Sequence, residues 1–539
     1  MNRPRALAPV ALAVVALAVV AWFLRPLFHG PAMFLWTAPL VWVPPVALLV
    51  IGALVAFRGR RKITVENIVS PRSSGPLIGF AVAALILFFL LGIANGPLSA
   101  RALYQDTRYE QIGELPSGAN VRLLPKEVAE QIASSGFNSP TEFLTNFAIV
   151  KTSQGLRWTA LRTPDGVVRT FTKKSQGIVT LDAGQTARTL RQVDAQFKVA
   201  PGLRLTDNLR WQLLKRHFFI ELGEEVGIET RDGPRIVVPY VEYAGLLVRR
   251  PRLGGVFLVS PNGRIEDLGP DQARRRPEIV ASGRLFPEAL ARRIQDAYSY
   301  KRGIWNRLFV HEEQTQITDT EANRQPYLID VGDRGARWVT VAEPYGRAFA
   351  ANAVFLTDTL TGRTQVYRVP RGKSLSGNRR ALDTVRSVPI SGVTFADRTA
   401  QGTGGGRFRV VEPRPVFVRG RLVYLVSVIP ESANSVSKTV IVDAEQNKVT
   451  KIFNNDSDPT AEAKTVEYLT AATPAVQPAP TDQNGQNGTG KPPAPRGGGT
   501  RGGGSIPDRL DALIRSQRRI LRETEALQRE LQRDGAATP

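Results

Sequence analysis

Three long apolar runs near the N-terminus limit what this chain of 539 residues can fold into. They cover residues 7–24, 35–57 and 77–95. Each is close to the ~20 apolar residues that a helix needs to cross a bilayer. Aromatic residues near the ends of the first two runs are typical of a membrane interface. The pattern therefore predicts three N-terminal transmembrane helices within residues 1–98.

Two of these runs leave alternatives open. The first is also consistent with a cleaved signal peptide, although the "RPLFHG" that follows it lacks a small-x-small cleavage site. Pro44 and Pro45 interrupt the second run and would free backbone carbonyls from the helix. A kink or a re-entrant break is therefore the alternative to a straight second span.

Basic residues predict how the runs are oriented. Arg3 and Arg5 precede the first run, whereas the loop between the first two runs offers only Arg25 and His29. The residues that separate the second run from the third include five cations: Arg58, Arg60, Arg61, Lys62 and Arg72. Because positively charged loops stay in the cytoplasm, we expect an integral protein of the cytoplasmic membrane with a cytoplasmic N-terminus. Residues after about 96 are then extracytoplasmic.

Composition narrows the class of protein further. The chain has no cysteine, which excludes disulfides, thiolate metal ligands and a cysteine nucleophile. Its net charge of +23 favours binding of polyanions such as DNA or an anionic cell-wall polymer. The alternative is that an arginine-rich composition follows a GC-rich genome and has no binding role.

A strand–turn–strand pattern recurs after residue 100. Residues 353–370, "AVFLTDTLTGRTQVYRVP", are the clearest copy. Residues 254–268 and 438–453 share the pattern, and residues 175–190 share it more weakly. Asp or Asn together with Gly are the residues that tight turns require. Since helical patterns precede these strands, we predict an α+β fold made of tandem small modules, each a helix packed on an antiparallel sheet.

The expected boundaries follow from these patterns and from composition. A Pro/Gly-rich stretch without core residues predicts a disordered linker, and a 3-4 apolar pattern after it predicts an amphipathic helix. The predicted organisation is a transmembrane region 1–98, α+β modules 99–200, 201–300 and 301–380, a fourth β-rich module 381–470, a linker 471–505 and a C-terminal helix 506–535.

One of the hairpins resembles a known family. Residues 354–368 carry a D-x-x-T-G turn followed by an aromatic residue, which is similar to PepSY and cystatin-like extracytoplasmic modules. Residues 256–268 and 439–453 match in part, lacking the Thr-Gly pair or the aromatic residue. The chain also resembles bacterial multi-pass membrane proteins that carry tandem modules of this type. The resemblance implies an envelope-facing binding or regulatory module without catalytic residues.

The C-terminal helix is a candidate for assembly. Its seam is apolar at five positions: Leu510, Leu513, Ile520, Leu527 and Leu531. Such a seam predicts a coiled coil that binds a protein partner or a second copy of the chain. An amphipathic helix that docks on its own chain or lies on the membrane is the alternative.

The sequence contains few residues or motifs that indicate catalysis or metal binding. His29, His217 and His311 are widely separated, and "HEEQ" lacks the second histidine of a zinc motif. There is no G-x-S-x-G elbow, and "GTGGGRF" lacks P-loop spacing. We therefore predict a protein that is not an enzyme and has no cofactor and no metal. A site built from carboxylates alone leaves no motif, so an enzyme is the remaining alternative. Transport is disfavoured, since no predicted span has a central charge.

The stretch "AYSYKRGIWNRLF" concentrates aromatic and basic residues. It is a candidate surface for a partner or a polyanion, formed by Tyr298, Tyr300, Lys301, Arg302, Trp305 and Arg307. Alternatively, Trp305 and Phe309 are core anchors at helical spacing. The sequence as a whole predicts a membrane-anchored, non-enzymatic envelope protein whose extracytoplasmic modules bind or regulate a partner. A basic extracytoplasmic binder of DNA or cell-wall polymer is the alternative.

Overall fold

The computed structural model describes residues 15, 19–58, 75–116, 121–186, 189–319, 325–332, 335–346, 349–396 and 407–470. These residues belong to one compact unit, Met1–Gln477. The predicted linker 471–505 and C-terminal helix 506–535, with its apolar seam, lie outside the described residues, as does most of the first apolar run.

The described part of the N-terminal region contains a 3-10 turn, Arg25–Phe28, followed by the helices α1 (His29–Thr37), α2 (Pro39–Arg58) and α3 (Gly75–Asp106). The helices α2 and α3 run antiparallel, since Gly52 contacts Phe80 while Gly92 faces Val41. A Cβ on Gly52 would lie 2.5 Å from the Phe80 ring, so glycine permits this close approach. The apolar part of α3 is mostly exposed on the protein surface, with Ile93 77% exposed.

The prediction of three N-terminal transmembrane helices is not supported. Among the described residues, one helix, Ile78–Asp106 within α3, is long and apolar enough to span a membrane. A second span is reached only when Val19–Thr37 and Pro39–Val55, which are bent by 78°, count together. The bend falls at the non-helical Ala38 rather than at Pro44 and Pro45, which both lie inside α2. The two prolines lie near the start of α2, where only the carbonyls of its first turn lose a donor.

After the short strand β1 (Tyr109–Ile112), one or more helices precede each of the four larger sheets in the described part of the chain. Helix α4 (Lys126–Gly136) precedes a sheet of β2 (Glu142–Thr152), β3 (Gly155–Pro164), β4 (Ser175–Asp182) and β5 (Leu190–Phe197), with α5 (Val167–Thr172) between β3 and β4. Helix α6 (Leu209–Arg216) precedes a sheet of β6 (Glu221–Leu222), β7 (Val226–Thr230), β8 (Gly233–Ala244), β9 (Arg250–Val259) and β10 (Ile265–Leu268).

The second half of the chain follows the same order. Helices α7 (Pro270–Ala273), α8 (Pro277–Ser282) and α9 (Glu288–Ala297) precede a sheet whose antiparallel strands are β11 (Thr315–Gln316), β12 (Tyr327–Asp330), β13 (Ala336–Pro344), β15 (Ala353–Asp358) and β16 (Thr364–Arg368). Strand β1 joins this sheet by pairing in parallel with β16. Strand β14 (Ala350–Ala351) pairs with β17 (Leu375–Ser376). Helix α10 (Asn378–Ser387) precedes a sheet of β18 (Phe408–Val418), β19 (Arg421–Pro430), β20 (Lys438–Asp443) and β21 (Lys448–Asn454), and α11 (Ala461–Thr470) ends the unit.

The predicted mixed α+β architecture with antiparallel sheets is confirmed, but the hydrophobic cores cross the predicted module boundaries. Leu213 of α6 lies in one core cluster with Ile178 of β4 and Phe257 of β9. Val385 of α10 shares a core with strands of both the third and the fourth sheet. Helices that lie between two sheets bury apolar residues on both sides, so neighbouring modules depend on each other for burial.

Aspartates organise the recurring hairpin turns. Asp358 Oδ1 accepts hydrogen bonds from the backbone N–H groups two and three residues further on, at 2.9 and 2.7 Å. Asp443 makes the same two bonds at 2.8 and 2.9 Å, and Asp182 makes the first of them at 2.8 Å. The turn role predicted for these side chains is therefore confirmed, and it needs no ligand.

The D-x-x-T-G turn also packs against the start of α9. Gly362 has a φ of +72°, and a Cβ on it would overlap the ring of Phe286. The backbone N–H of Phe286 donates to the carbonyl of Thr359 in the same turn at 2.8 Å. Glycine is required here for two reasons, its left-handed backbone and its close contact with an aromatic ring.

We expect Gly362→Ala to lower the free energy of unfolding by about 2–4 kcal/mol, since it adds backbone strain to overpacking against Phe286. Gly372→Ala is the matched control, because Gly372 has a φ of +87° but open space where a Cβ would lie. It should cost only about 1–2 kcal/mol. Chemical denaturation of both variants in detergent measures the difference, and equal losses would contradict the role of the Phe286 contact.

Candidate membrane-proximal site

Helix α6 presents an aromatic and basic outer face. Asn208 caps the helix by accepting a hydrogen bond from the backbone N–H of Trp211 at 3.0 Å. Leu209, Leu213 and Leu214 are buried against the neighbouring sheets. Trp211 therefore lies on the side of the helix away from the core.

The N-terminal segment packs onto this face. The rings of Phe23 and Trp211 are 5.5 Å apart between centroids. The Lys215 ammonium lies 4.0 Å from the centroid of the Phe23 ring, a cation–π contact. The guanidinium of Arg25 donates to the carbonyl oxygen of Lys215. Aromatic packing and a charge-assisted hydrogen bond thus join residues far apart in sequence.

A second set of contacts joins the two ends of α1, His29 and Trp36, to the chain between α6 and β9. Trp36 stacks on Phe219 with ring centroids 4.6 Å apart. The guanidinium carbon of Arg249 lies 3.7 Å from the Trp36 ring centroid, on the loop between β8 and β9. His29 Nε2 lies 2.9 Å from the carbonyl oxygen of Ile220. We call the side chains that make these two sets of contacts the aromatic clamp: Phe23, Arg25, His29, Trp36, Trp211, Lys215, Phe219 and Arg249.

The last turns of α3 are also attached to the rest of the unit. Ser99 donates its hydroxyl to the carbonyl oxygen of Arg249 at 2.6 Å. Arg101 donates to the carbonyl oxygens of Tyr300 and Lys301 at 2.7 and 3.2 Å. The same Arg249 therefore joins the clamp and the end of α3.

Aromatic stacking and an ion pair complete this attachment. Tyr104 on α3 stacks on Tyr109 on β1 with a centroid distance of 5.3 Å, and Tyr298 contacts the Tyr109 ring at 5.1 Å. Asp106 forms an ion pair with Arg250. Burial raises the pKa of the Tyr109 hydroxyl, which donates to the carbonyl oxygen of Ile294 at 2.7 Å.

The structure separates the residues predicted to form a partner or polyanion surface. Tyr298 is buried in the core beside Phe355. Tyr300 is partly buried, and Arg307 donates to the hydroxyl of Ser299 at 3.1 Å. Of the three aromatic residues, only Trp305 is mostly exposed, with 70% of its surface accessible to solvent.

Trp305 and Phe309 are not core anchors. Phe309 is 62% exposed, and the two rings contact each other with centroids 4.4 Å apart. They belong to a segment whose second part, Asn306–Val310, is a π-helical turn. This segment follows directly on the carbonyls that Arg101 binds.

Two of the three basic residues of the predicted surface, Lys301 and Arg302, are already paired with carboxylates. Lys301 contacts Glu313 at 3.0 Å, and Arg302 contacts Glu312 at 2.6 Å and Glu313 at 3.1 Å. Hydrogen bonds from Lys301 and Arg368 lower the pKa of Glu313 to about 2. A polyanion would have to displace these carboxylates, so the pairs argue against a strong electrostatic site here.

Sequence reasoning missed a buried ionic cluster between α4 and β18. Glu412 is fully buried; it forms an ion pair with Arg122 and accepts from the backbone N–H of Lys126 at 2.8 Å. Arg414 donates to the carbonyl oxygen of Leu123 at 2.9 Å, and burial lowers its pKa to about 10. The signal was present in "RVVEPRPVFV", where an acidic and a basic residue interrupt an apolar strand.

A second carboxylate near this cluster has an unusual environment. Burial raises the pKa of Glu288, in the first turn of α9, to about 7, and the neighbouring charge of Glu224 adds to the effect. Three cations act in the opposite direction: Arg284, Lys126 and Arg122. The folded protein therefore holds a proton on Glu288 at a pH where an unfolded chain would have lost it.

Glu288 should make stability depend on pH. Because its folded pKa lies above the ordinary value, its ionisation destabilises the fold as pH rises from about 4.5 to 7, by up to about 3 kcal/mol. We expect Glu288→Gln to be more stable than the parent at pH 8 and to differ little from it at pH 4.5. Thermal unfolding at both pH values tests this against Glu467→Gln on the exposed face of α11. Parallel pH profiles for the parent and Glu288→Gln would contradict the assignment.

Fold and site together define a mixed α+β protein whose apolar N-terminal helices are attached to a body of mainly antiparallel sheets. Among the described residues, no group of three or more His, Asp or Glu side chains is placed to hold a metal ion. No protein-family model, characterised protein or solved structure matches this chain.

Proposed function

We propose that this chain is a membrane-anchored, non-enzymatic protein of the cell envelope whose extracytoplasmic modules bind or regulate a protein partner. The observation that carries the proposal is the double attachment of the body, through the aromatic clamp and through the last turns of α3. A body fixed at two points next to an apolar helix pair is built to be held at a membrane surface.

The proposed topology combines these contacts with the charge distribution. Residues 23–36 and 99–106 contact the same body, which favours placing both segments on the same side of the membrane. The basic residues of segment 58–72 follow α2 and precede the apolar part of α3, at the opposite end of this antiparallel pair. Since positive loops remain cytoplasmic, we place the body outside the cytoplasm and segment 58–72 inside.

A binding role is supported by how the ionisable groups are used. In the buried cluster, Glu412 pairs with Arg122 and accepts a hydrogen bond from the backbone N–H of Lys126. Arg414 donates to the carbonyl oxygen of Leu123. Near Trp305, Lys301 is paired with Glu313 and Arg302 with Glu312. The apolar seam predicted within residues 506–535 is the part of the sequence best suited to assembly, with a protein partner or a second copy of the chain.

The topology can be tested cleanly because the chain has no cysteine of its own. We expect a membrane-impermeant maleimide to label Asp232→Cys in intact cells or spheroplasts, since the Asp232 side chain is 82% exposed. Thr64→Cys should be labelled only after the membrane is permeabilised. Labelling of Thr64→Cys in intact spheroplasts, with Asp232→Cys protected, would reverse the orientation.

The partner class is tested by crosslinking in intact cells, followed by purification and mass spectrometry. We expect a recurrent protein crosslink to the full-length chain, and a smaller yield of it when residues 506–535 are deleted. A crosslink that survives the deletion unchanged would remove the assembly role of the C-terminal helix. Recovery of an anionic polymer that dissociates steeply with salt, without a protein, would replace the proposal by the polyanion-binding alternative.

A further inference from the structure

The hairpin that joins β8 and β9 ends in exposed leucines. Leu246 is 84% exposed and Leu247 is 40% exposed. Burying a leucine side chain is worth about 1.5–3 kcal/mol, so water is a poor environment for this tip. Gly245 has a φ of +105°, and a Cβ on it would overlap the carbonyl oxygen of Val248. The turn is therefore tight and presents both leucines in a defined position.

The contacts of this hairpin follow α3 toward its apolar part. The side chain of Arg250 pairs with Asp106, whereas the carbonyl oxygen of Arg249 accepts from Ser99. These partners are seven residues apart on a continuous helix, which corresponds to about 10 Å along its axis. The backbone of Arg249 thus lies closer to the apolar stretch that ends near Asn95 than the guanidinium of Arg250 does. The Arg249 side chain contacts Trp36, just before the start of α2, so the hairpin meets the apolar helix pair next to its tip.

The side chains next to the tip are those that prefer a membrane interface. Arg249 stacks on Trp36, and Trp36 stacks on Phe219, which is itself 45% exposed. Tryptophan and arginine are typical of the boundary between lipid headgroups and acyl chains. Two leucines that project beyond such a layer would enter the acyl chains rather than water.

We infer that residues 245–248, the hairpin tip, insert into the lipid bilayer beside α3. The tip would contact the membrane in addition to the apolar helices, and it would bind the acyl chains next to the lipid headgroups. The insertion depth expected for a monotopic element is about 5–10 Å. The inference rests on one clause of the proposed function, that α3 crosses the bilayer, and is independent of partner and orientation.

The experiment places an environment-sensitive fluorophore on single cysteines of the full-length chain in lipid nanodiscs. Leu246→Cys tests the tip, and because Leu246 is 84% exposed the substitution removes no core packing. Asp232→Cys is the matched control, because it lies in the turn at the opposite end of β8. Ile86→Cys reports whether α3 is in the bilayer, since Ile86 is an exposed residue in the middle of its apolar part.

We expect a blue-shifted emission at position 246 and quenching by lipids that carry a nitroxide near the carbonyl end of the acyl chain. Position 232 should instead be quenched by iodide in the aqueous phase. Quenching at position 86 but not at 246 by lipid nitroxides would overturn the hairpin insertion and leave the membrane anchor standing. Absence of lipid quenching at both positions would overturn the anchor as well, so the two failures are distinguishable.

Discussion

The junction between α3 and the third sheet is the constraint on which the arrangement depends. Only two residues separate Asp106, the end of α3, from β1, and β1 pairs in parallel with β16. The stacked rings of Tyr104 and Tyr109 lie across this junction, and Tyr298 packs against both. The apolar helix is thus followed, after only these two residues, by a strand that is hydrogen-bonded into the third sheet. The position of the third sheet is set by the position of the helix.

The features that could be predicted from the sequence are local ones. The turn role of Asp358 and Asp443 follows from hydrogen bonds to the next few backbone groups, so short-range patterns were sufficient. The alternation of helix and antiparallel sheet was likewise visible in the periodicity. Such signals depend on neighbours in the chain, which a sequence displays directly.

The features that could not be predicted depend on distant residues. The sequence predicts that Trp36, near the start of an apolar run, lies at a membrane interface, but it does not show that the ring stacks on Phe219 in the second sheet region. Tyr298 was assigned to a binding surface because of its basic neighbours, yet it fills the core beside Phe355. The partner of Glu412, Arg122, is 290 residues away. Nothing in the surrounding sequence specifies these pairings.

The length of α3 bears on how far from a bilayer the sheets would lie. Its 32 residues extend about 48 Å, whereas the hydrocarbon core of a bilayer is about 30 Å thick. In the proposed topology α3 would extend beyond the hydrocarbon core, so its length would set the distance of the sheets from the bilayer. A partner in the same membrane would then meet the sheets at a fixed distance from the bilayer and in a fixed orientation.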